Sequence, residues 1–131
     1  MIALDTNILV RLVTRDNEAQ AQRVKAVFDA HGEEHGAFFV SDIVLAELCW
    51  TLSRSYDLVR DDIARTIRAL LDNSSIAFES PLAVRNALIS FETKAADFPD
   101  CLIVAKANHA GCSHTLTLDQ RMKSLPGVEL L

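Results

Sequence analysis

The sequence has few glycines, few cysteines and no long apolar run, and each shortage excludes a class of protein. Four scattered glycines in 131 residues build neither a G-x-G-x-x-G nor a P-loop motif, so a nucleotide-fuelled enzyme is not supported. The three cysteines, Cys49, Cys101 and Cys112, include no C-x-x-C pair, which argues against disulfides and a cysteine-based zinc site. No apolar run approaches the roughly 18 residues of a membrane span, and no signal peptide is recognisable, so we expect a cytoplasmic protein.

Basic residues are outnumbered by acidic ones, and the net charge is -5. This balance argues against a large basic surface for nucleic acid. An acidic protein can still act on a polyanion if divalent cations occupy an acidic site and local arginines contact the phosphates. Arg11, Arg15 and the arginines between Arg54 and Arg68 are candidates for such contacts, although a solvated helix face is the better explanation of these charges.

Short apolar segments alternate with amphipathic ones along the whole chain. The pattern predicts strands at residues 1–4, 37–40, 76–78, 114–118 and 128–130, and helices at residues 7–13, 17–31, 42–53, 61–71, 81–94, 99–111 and, as a short turn, 119–125. Ser41 and Ser80 are the predicted N-caps of the helices that follow them, and Gly111 is predicted to end the helix before it. This order predicts one α/β domain over residues 1–131, with a short central parallel sheet and helices on both faces. Ligands of such sheets bind beyond the carboxyl ends of the strands.

Acidic residues directly follow two of the predicted strands. Asp5 follows the first strand and Asp119 the fourth, although each could simply cap the next helix. Glu47 lies in the apolar stretch IVLAELCW, where an unpaired buried carboxylate would cost several kcal/mol. Either a partner such as a cation compensates Glu47, or the helix turns it to solvent.

A further acidic pair, Asp97 and Asp100, lies in ADFPDCLIVAKA. Asp97 can cap the helix while Asp100 lies in its first turn, and one or both could bind metal. Carboxylates that converge on one pocket repel one another unless a divalent ion neutralises them. Ligands that are all oxygen favour Mg²⁺ or Mn²⁺ over Zn²⁺.

Two competing motifs are weaker. The segment from His31 to His35 matches the H-x-x-E-H zinc pattern, but Gly32 falls at a predicted helix end and would break the continuous helix that the motif requires. Asp5 could instead be a phosphoryl-accepting nucleophile, as in aspartate-based phosphatases. Those enzymes usually carry a second aspartate two residues later, where this chain has Asn7.

Four segments together resemble a known family: LDTNILVRL, SDIVLAELCW, ADFPDCLIVAKA and TLTLDQRMKSLPGVELL. In this order and spacing the chain resembles the PIN-domain ribonucleases, and within them the VapC-type toxins of toxin-antitoxin systems. The resemblance implies a PIN-like fold in which four acids bind Mg²⁺ or Mn²⁺ and hydrolyse RNA, namely Asp5, Glu47, Asp100 and Asp119.

The resemblance also implies supporting residues and partners. Thr6 and Asn7 would support the first aspartate, Thr117 would place a hydroxyl near the last, and Asp97 would be a ligand or a support. Some relatives carry another acid where this chain has Arg121, which puts a ligand from that side in doubt. The implied partners are an RNA substrate, a cognate antitoxin and a second copy in a homodimer, with no organic cofactor and no membrane.

The resulting hypothesis is a metal-dependent endoribonuclease that leaves a 5′-phosphate and a 3′-hydroxyl. Two alternatives stay open at this point. The chain could be a catalytically weak module whose acidic pocket receives an arginine from a partner protein, or it could be an aspartate-based phosphatase.

Overall fold

The structure, a computed structural model, describes residues 1–131 and divides into an N-terminal unit, Met1–Glu79, and a C-terminal unit, Ser80–Leu131. The N-terminal unit contains β1 (Ile2–Ala3), α1 (Thr6–Val13), α2 (Glu18–His31), β2 (Phe38–Val40), α3 (Asp42–Ser55), α4 (Arg60–Asp72) and β3 (Ile76–Phe78). The C-terminal unit contains α5 (Pro81–Thr93), α6 (Phe98–His109), β4 (Thr115–Thr117), a 3₁₀ turn (Gln120–Met122) and β5 (Val128–Leu130).

A three-stranded parallel sheet in the order β1-β2-β3 organises the N-terminal unit. Its central strand contributes the fully buried Phe38, whose ring stacks on Phe28 of α2 with centroids 4.3 Å apart. Helix α1 packs against α2 and α3, and α3 buries Leu45, Leu48 and Leu52. Strands β2 and β3 each end just before the next helix begins. The short connections therefore place polar residues at the carboxyl edge of this sheet.

Strand β1 differs from the prediction of a buried strand over residues 1–4. Only Ile2 and Ala3 pair with β2, and Ile2 is 43% exposed. Leu4, the next residue, is buried. The difference arises because β1 is an edge strand of its sheet, so its apolar residues are covered less completely than those of β2.

The C-terminal unit consists of the packed helices α5 and α6 and a two-stranded parallel sheet of β4 and β5. The rings of Phe91 and Phe98 meet edge to face, with centroids 5.9 Å apart, and join the two helices. Gly111 follows α6 with φ +85°, which confirms the predicted helix-ending glycine, since side-chain-bearing residues rarely adopt this conformation.

Side-chain caps explain most helix starts. Ser41 Oγ accepts a 3.2 Å hydrogen bond from Val44 N at the start of α3, as predicted. Ser80 is the N-cap residue of α5 and Pro81 its first helical residue, as predicted, but the Ser80 side chain makes no capping hydrogen bond. Ser80 Oγ instead accepts from the Lys106 ammonium group at 3.0 Å, and a charged donor competes well with a backbone N–H.

The predicted α/β class with parallel strands is confirmed, and every strand pairing is parallel. Strands β3 and β5 coincide with the predicted ranges. The strands form one sheet of three and one of two. None of the helices has the length and apolar character needed to cross a membrane.

Candidate active site

Asp5 links β1 to α1 in the N-terminal unit. The exposed Asp5 is the N-cap residue of α1, and its Oδ1 accepts a 2.7 Å hydrogen bond from Thr6 N. Asn7 is also exposed, and no hydrogen bond joins its side chain to Asp5. The capping role considered from the sequence is therefore observed, and it leaves Asp5 Oδ2 available to another group.

Glu47 lies on the exposed side of α3, so the solvent-facing alternative is the observed one. Its sequence neighbours Leu45, Leu48 and Cys49 occupy the buried side, because successive helical residues turn by about 100°. Glu47 Oε2 accepts a 2.7 Å hydrogen bond from Thr6 Oγ1. A hydroxyl donor on a carboxylate is a strong, charge-assisted contact, so Thr6 restricts the orientation of Glu47.

Glu79 is a residue of this region that the sequence did not single out. It directly follows β3, and its Oε1 accepts a 3.0 Å hydrogen bond from Asp42 N at the start of α3. Glu79 therefore helps to fix the helix that carries Glu47, since helix N-termini offer unpaired N–H donors. The strand-end rule that selected Asp5 and Asp119 would also have found Glu79.

In the C-terminal unit, Asp97 and Asp100 open α6 as the sequence predicted. Asp97 is the N-cap, and its Oδ1 accepts a 3.0 Å hydrogen bond from Asp100 N. The pKa of the half-buried Asp100 is raised to about 6, first by desolvation, then by the charge and hydrogen bond of Asp97 and by the charge of Asp119, while Arg121 acts in the opposite direction. Asp100 therefore lies where a positive charge would be strongly favoured.

Asp119 follows β4 and is stabilised by its own turn. Its Oδ1 accepts a 2.9 Å hydrogen bond from Arg121 N, and its backbone N donates to Thr117 Oγ1 at 3.0 Å. The backbone and side-chain hydrogen bonds from Arg121 lower the pKa of Asp119. Thr117 thus places a hydroxyl beside Asp119, although it contacts the backbone and not the carboxylate.

The donor chemistry of these side chains fits a hard divalent cation. Asp97, Asp100 and Asp119 supply only carboxylate oxygens, and the pKa of Asp100 is raised chiefly by burial and secondarily by the charge of Asp97. As the side chains stand, no group of three or more His, Cys, Asp or Glu residues is arranged to hold a metal ion. The type of ligand atom is the one that Mg²⁺ or Mn²⁺ prefers, but the structure does not gather these side chains into a metal site.

Two other candidate sites have structural explanations. Helix α2 ends at His31, so the H-x-x-E-H segment does not form the single helix that its zinc chemistry requires. Arg11, a candidate RNA contact, donates to Gln20, Asp16 and Tyr56 at 2.6, 3.1 and 3.2 Å. Arg15 is largely exposed, and only a 3.9 Å contact joins it to Glu18.

The fold and the side chains together define an α/β protein in which Asp5 and Asp119 follow parallel strands and Asp97 and Asp100 lie at the start of a helix. The chain belongs to the PIN domain family, whose model matches residues 2–128. It is 25% identical over 125 residues to a protein of Aquifex aeolicus (strain VF5) named VapC ribonuclease, a match that covers 95% of this chain and 92% of that protein.

A comparison of structures gives a weaker likeness. The chain is similar to one in a solved structure titled "Toxin-antitoxin complex from Klebsiella pneumoniae", with 20% identity, coverage of 98% of this chain and 96% of that chain, and a TM-score of 0.37. A likeness of this size carries no argument about function.

Proposed function

We propose that this chain is a Mg²⁺-dependent endoribonuclease and the toxin of a toxin-antitoxin pair. Support comes chiefly from the PIN domain match, because residues 2–128 include every acid singled out in the sequence. The similarity to a protein named VapC ribonuclease extends over 95% of the chain and favours RNA as the substrate.

In this proposal Asp5, Glu47, Asp100 and Asp119 hold Mg²⁺, for which Mn²⁺ can substitute. Their carboxylate oxygens are the ligands that both ions prefer. A bound divalent ion supplies Lewis-acid chemistry, which polarises a phosphodiester and lowers the pKa of water. The products are a 5′-phosphate and a 3′-hydroxyl.

The remaining side chains orient these acids. The Thr6 hydroxyl holds Glu47, and the Arg121 backbone N–H holds Asp119. Asp97 fixes the first turn of α6, from which Asp100 projects. Because a carboxylate binds metal in its ionised form, the raised pKa of Asp100 predicts that metal affinity increases as the pH rises through about 6.

The proposed partners follow from the resemblance of the sequence. They are an antitoxin that neutralises the nuclease and a second copy of the chain in a homodimer. For the RNA backbone, Arg15 is a better candidate than Arg11, because the Arg11 guanidinium already binds three side chains of its own unit.

The test compares wild type with Asp5→Asn on a labelled RNA in Mg²⁺ and in EDTA. Asparagine caps a helix about as well as aspartate, so the fold of α1 is retained. We expect cleavage to fall more than about 100-fold, since even residues that only support a metal ligand contribute 10- to 100-fold. Cleavage in EDTA should be abolished, and the products should carry 5′-phosphates.

Asp29→Asn is the matched control in the same unit. Asp29 forms an exposed ion pair with Lys25 on α2, and such pairs contribute little to stability. This variant should cleave like wild type. Undiminished cleavage by Asp5→Asn, or by wild type in EDTA, would overturn the metal-dependent mechanism.

A further inference from the structure

Helix α5 carries exposed apolar residues on the side that faces away from the core of the C-terminal unit. Its buried side, which includes Val84, Leu88 and Phe91, packs against α6. On the other side Leu82 is 68% exposed and Ile89 is 62% exposed. These two residues are seven positions apart in the sequence, which is about two helical turns, so they lie on one line along the helix.

We propose that this side of α5 is the interface between two copies of the chain, which pack α5 against α5 in antiparallel orientation about a two-fold axis at Ile89. The inference names the surface of the homodimer in the proposed function and rests on that part of it. The surface, the outer stripe of α5, consists of the exposed residues Leu82, Arg85, Asn86, Ile89, Glu92 and Thr93.

The charges of the outer stripe are complementary to those of a second copy. Arg85 and Glu92 are seven residues apart on the same flank of the helix, and Ile89 lies near their midpoint. In two antiparallel helices related by a two-fold axis at this midpoint, Arg85 of each copy lies level with Glu92 of the other, and the same flanks face one another. The dimer therefore contains two pairs of opposite charges, which fix its register and its antiparallel orientation.

The other flank of the outer stripe repeats this arrangement with uncharged groups. Asn86 and Thr93 are also seven residues apart, and Ile89 again lies near their midpoint. In the dimer each Ile89 meets its own counterpart, and each Leu82 reaches the end of α5 in the second copy. Both flanks and the apolar line thus share one centre of symmetry, as an interface between identical helices requires. This shared centre favours a second copy over an unrelated partner protein.

Sedimentation equilibrium of wild type, Arg85→Glu, Glu92→Arg and the double variant tests the charge pairing. Wild type should dimerise. Each single variant places like charges opposite one another, so its dimer dissociation constant should increase at least about 10-fold. The double variant, and an equimolar mixture of the two single variants, should return close to the wild-type value, because both restore pairs of opposite charge.

Arg65→Glu is the matched control, because it reverses the charge of an exposed arginine on α4, which is paired with Asp62 at 3.4 Å. It should leave the dissociation constant unchanged. The outer stripe contains none of the acids proposed to hold metal, so its substitutions leave those acids in place. Far-ultraviolet circular dichroism checks that each variant folds.

Disulfide cross-linking tests the register independently of charge. In a Cys112→Ser background, which removes the exposed native thiol, Ile89→Cys should form a disulfide between copies in oxidised glutathione, because its two thiols meet at the axis. Leu82→Cys should not cross-link. Its two copies lie about 21 Å apart along the helices, well beyond the roughly 7 Å between Cα atoms that a disulfide spans.

The outcomes separate this inference from the proposed function. A wild-type dimer that is unaffected by the charge reversals, or that forms no disulfide at position 89, would overturn the inference and leave the homodimer intact. A monomeric wild type would overturn the inference and the homodimer together, and RNA cleavage by that monomer would leave the proposed ribonuclease intact. A dimer that behaves as expected but cleaves no RNA would support the inference and overturn the proposed ribonuclease.

Discussion

The two units hold their acidic residues in different ways. In the N-terminal unit each acid has its own hydrogen-bond donor: Asp5 accepts from a backbone N–H, and Glu47 accepts from the Thr6 hydroxyl. In the C-terminal unit Asp100 lies beside other carboxylates, and the only nearby positive charge acting on it is that of Arg121. Asp97 and Asp119 also accept from backbone N–H groups, so the two units differ chiefly at Asp100, whose ionised form is disfavoured by burial and by neighbouring carboxylates.

This difference affects the free energy of the ionised carboxylates. A hydroxyl or amide donor orients a carboxylate without changing the net charge of its surroundings. Like charges raise the energy of the ionised state, and any cation that binds there relieves that repulsion. Substitutions in the N-terminal unit should therefore act mainly on the orientation of the acids, and substitutions in the C-terminal unit should act mainly on charge.

The largest expected effect is on RNA cleavage, and it distinguishes Thr6 from Thr117. Thr6→Val removes the donor to the Glu47 carboxylate, and RNA cleavage should fall about 10- to 100-fold, as for other residues that orient metal ligands. Thr117→Val removes an acceptor for the Asp119 backbone N–H and a weak hydrogen bond to Met122 Sδ, so cleavage should fall less than about 10-fold, as expected for neutral hydrogen bonds. Rates on one labelled RNA in saturating Mg²⁺ provide the measurement.

Thr6→Ser is the control for this comparison, because it keeps the hydroxyl and should cleave RNA at close to the wild-type rate. Unfolding curves should show that all three variants fold. If Thr117→Val reduced cleavage as much as Thr6→Val, the distinction between carboxylate and backbone contacts would be lost.

A smaller effect concerns stability without metal. Because the pKa of Asp100 is raised from 3.8 to about 6, its ionisation destabilises the fold progressively as the pH rises from about 4 to about 6. Asp100→Asn removes that charge and should stabilise the protein at pH 7.5. The full shift corresponds to about 3 kcal/mol, which solvent screening of a half-buried group reduces to about 1 kcal/mol.

Urea unfolding in EDTA at pH 7.5 and pH 4.5 tests this expectation. The gain from Asp100→Asn should shrink at pH 4.5, where the folded wild type is mostly protonated at Asp100. Glu47→Gln should instead lose up to about 1 kcal/mol at pH 7.5, because it weakens a charge-assisted hydrogen bond. A loss of stability in Asp100→Asn together with a gain in Glu47→Gln at pH 7.5 would contradict the difference proposed between the two units.

Contacts between residues close in the sequence were predicted better than contacts between distant residues. The Asp97 cap and the first-turn position of Asp100 were predicted correctly, because both follow from neighbouring residues. The Thr6–Glu47 hydrogen bond joins residues 41 positions apart and depends on the packing of α1 against α3. No local pattern could reveal it.

Two further features also depend on tertiary packing. The apolar neighbours in the sequence left open whether Glu47 is buried, and the helix turns it by about 100° from the buried Leu48 onto the exposed side. Ser80 is the predicted N-cap residue, but its hydroxyl accepts from Lys106, 26 residues away, and makes no capping hydrogen bond. Side-chain competition of this kind becomes visible only when the tertiary structure is known.

The smallest effect concerns the caps of α6 and α3. Ser41→Ala removes an uncharged cap and should cost about 1 kcal/mol at any pH. Asp97→Ala also removes a cap, but at pH 7.5 the loss is partly offset because the repulsion of Asp100 disappears with it. At pH 4.5, where Asp100 is protonated and shares a hydrogen bond with Asp97, Asp97→Ala should cost more. Asp97→Asn, which keeps the cap, is the control for urea unfolding in EDTA. A cost for Asp97→Ala that did not increase at pH 4.5 would mean that the Asp97–Asp100 repulsion contributes nothing to the stability of the C-terminal unit.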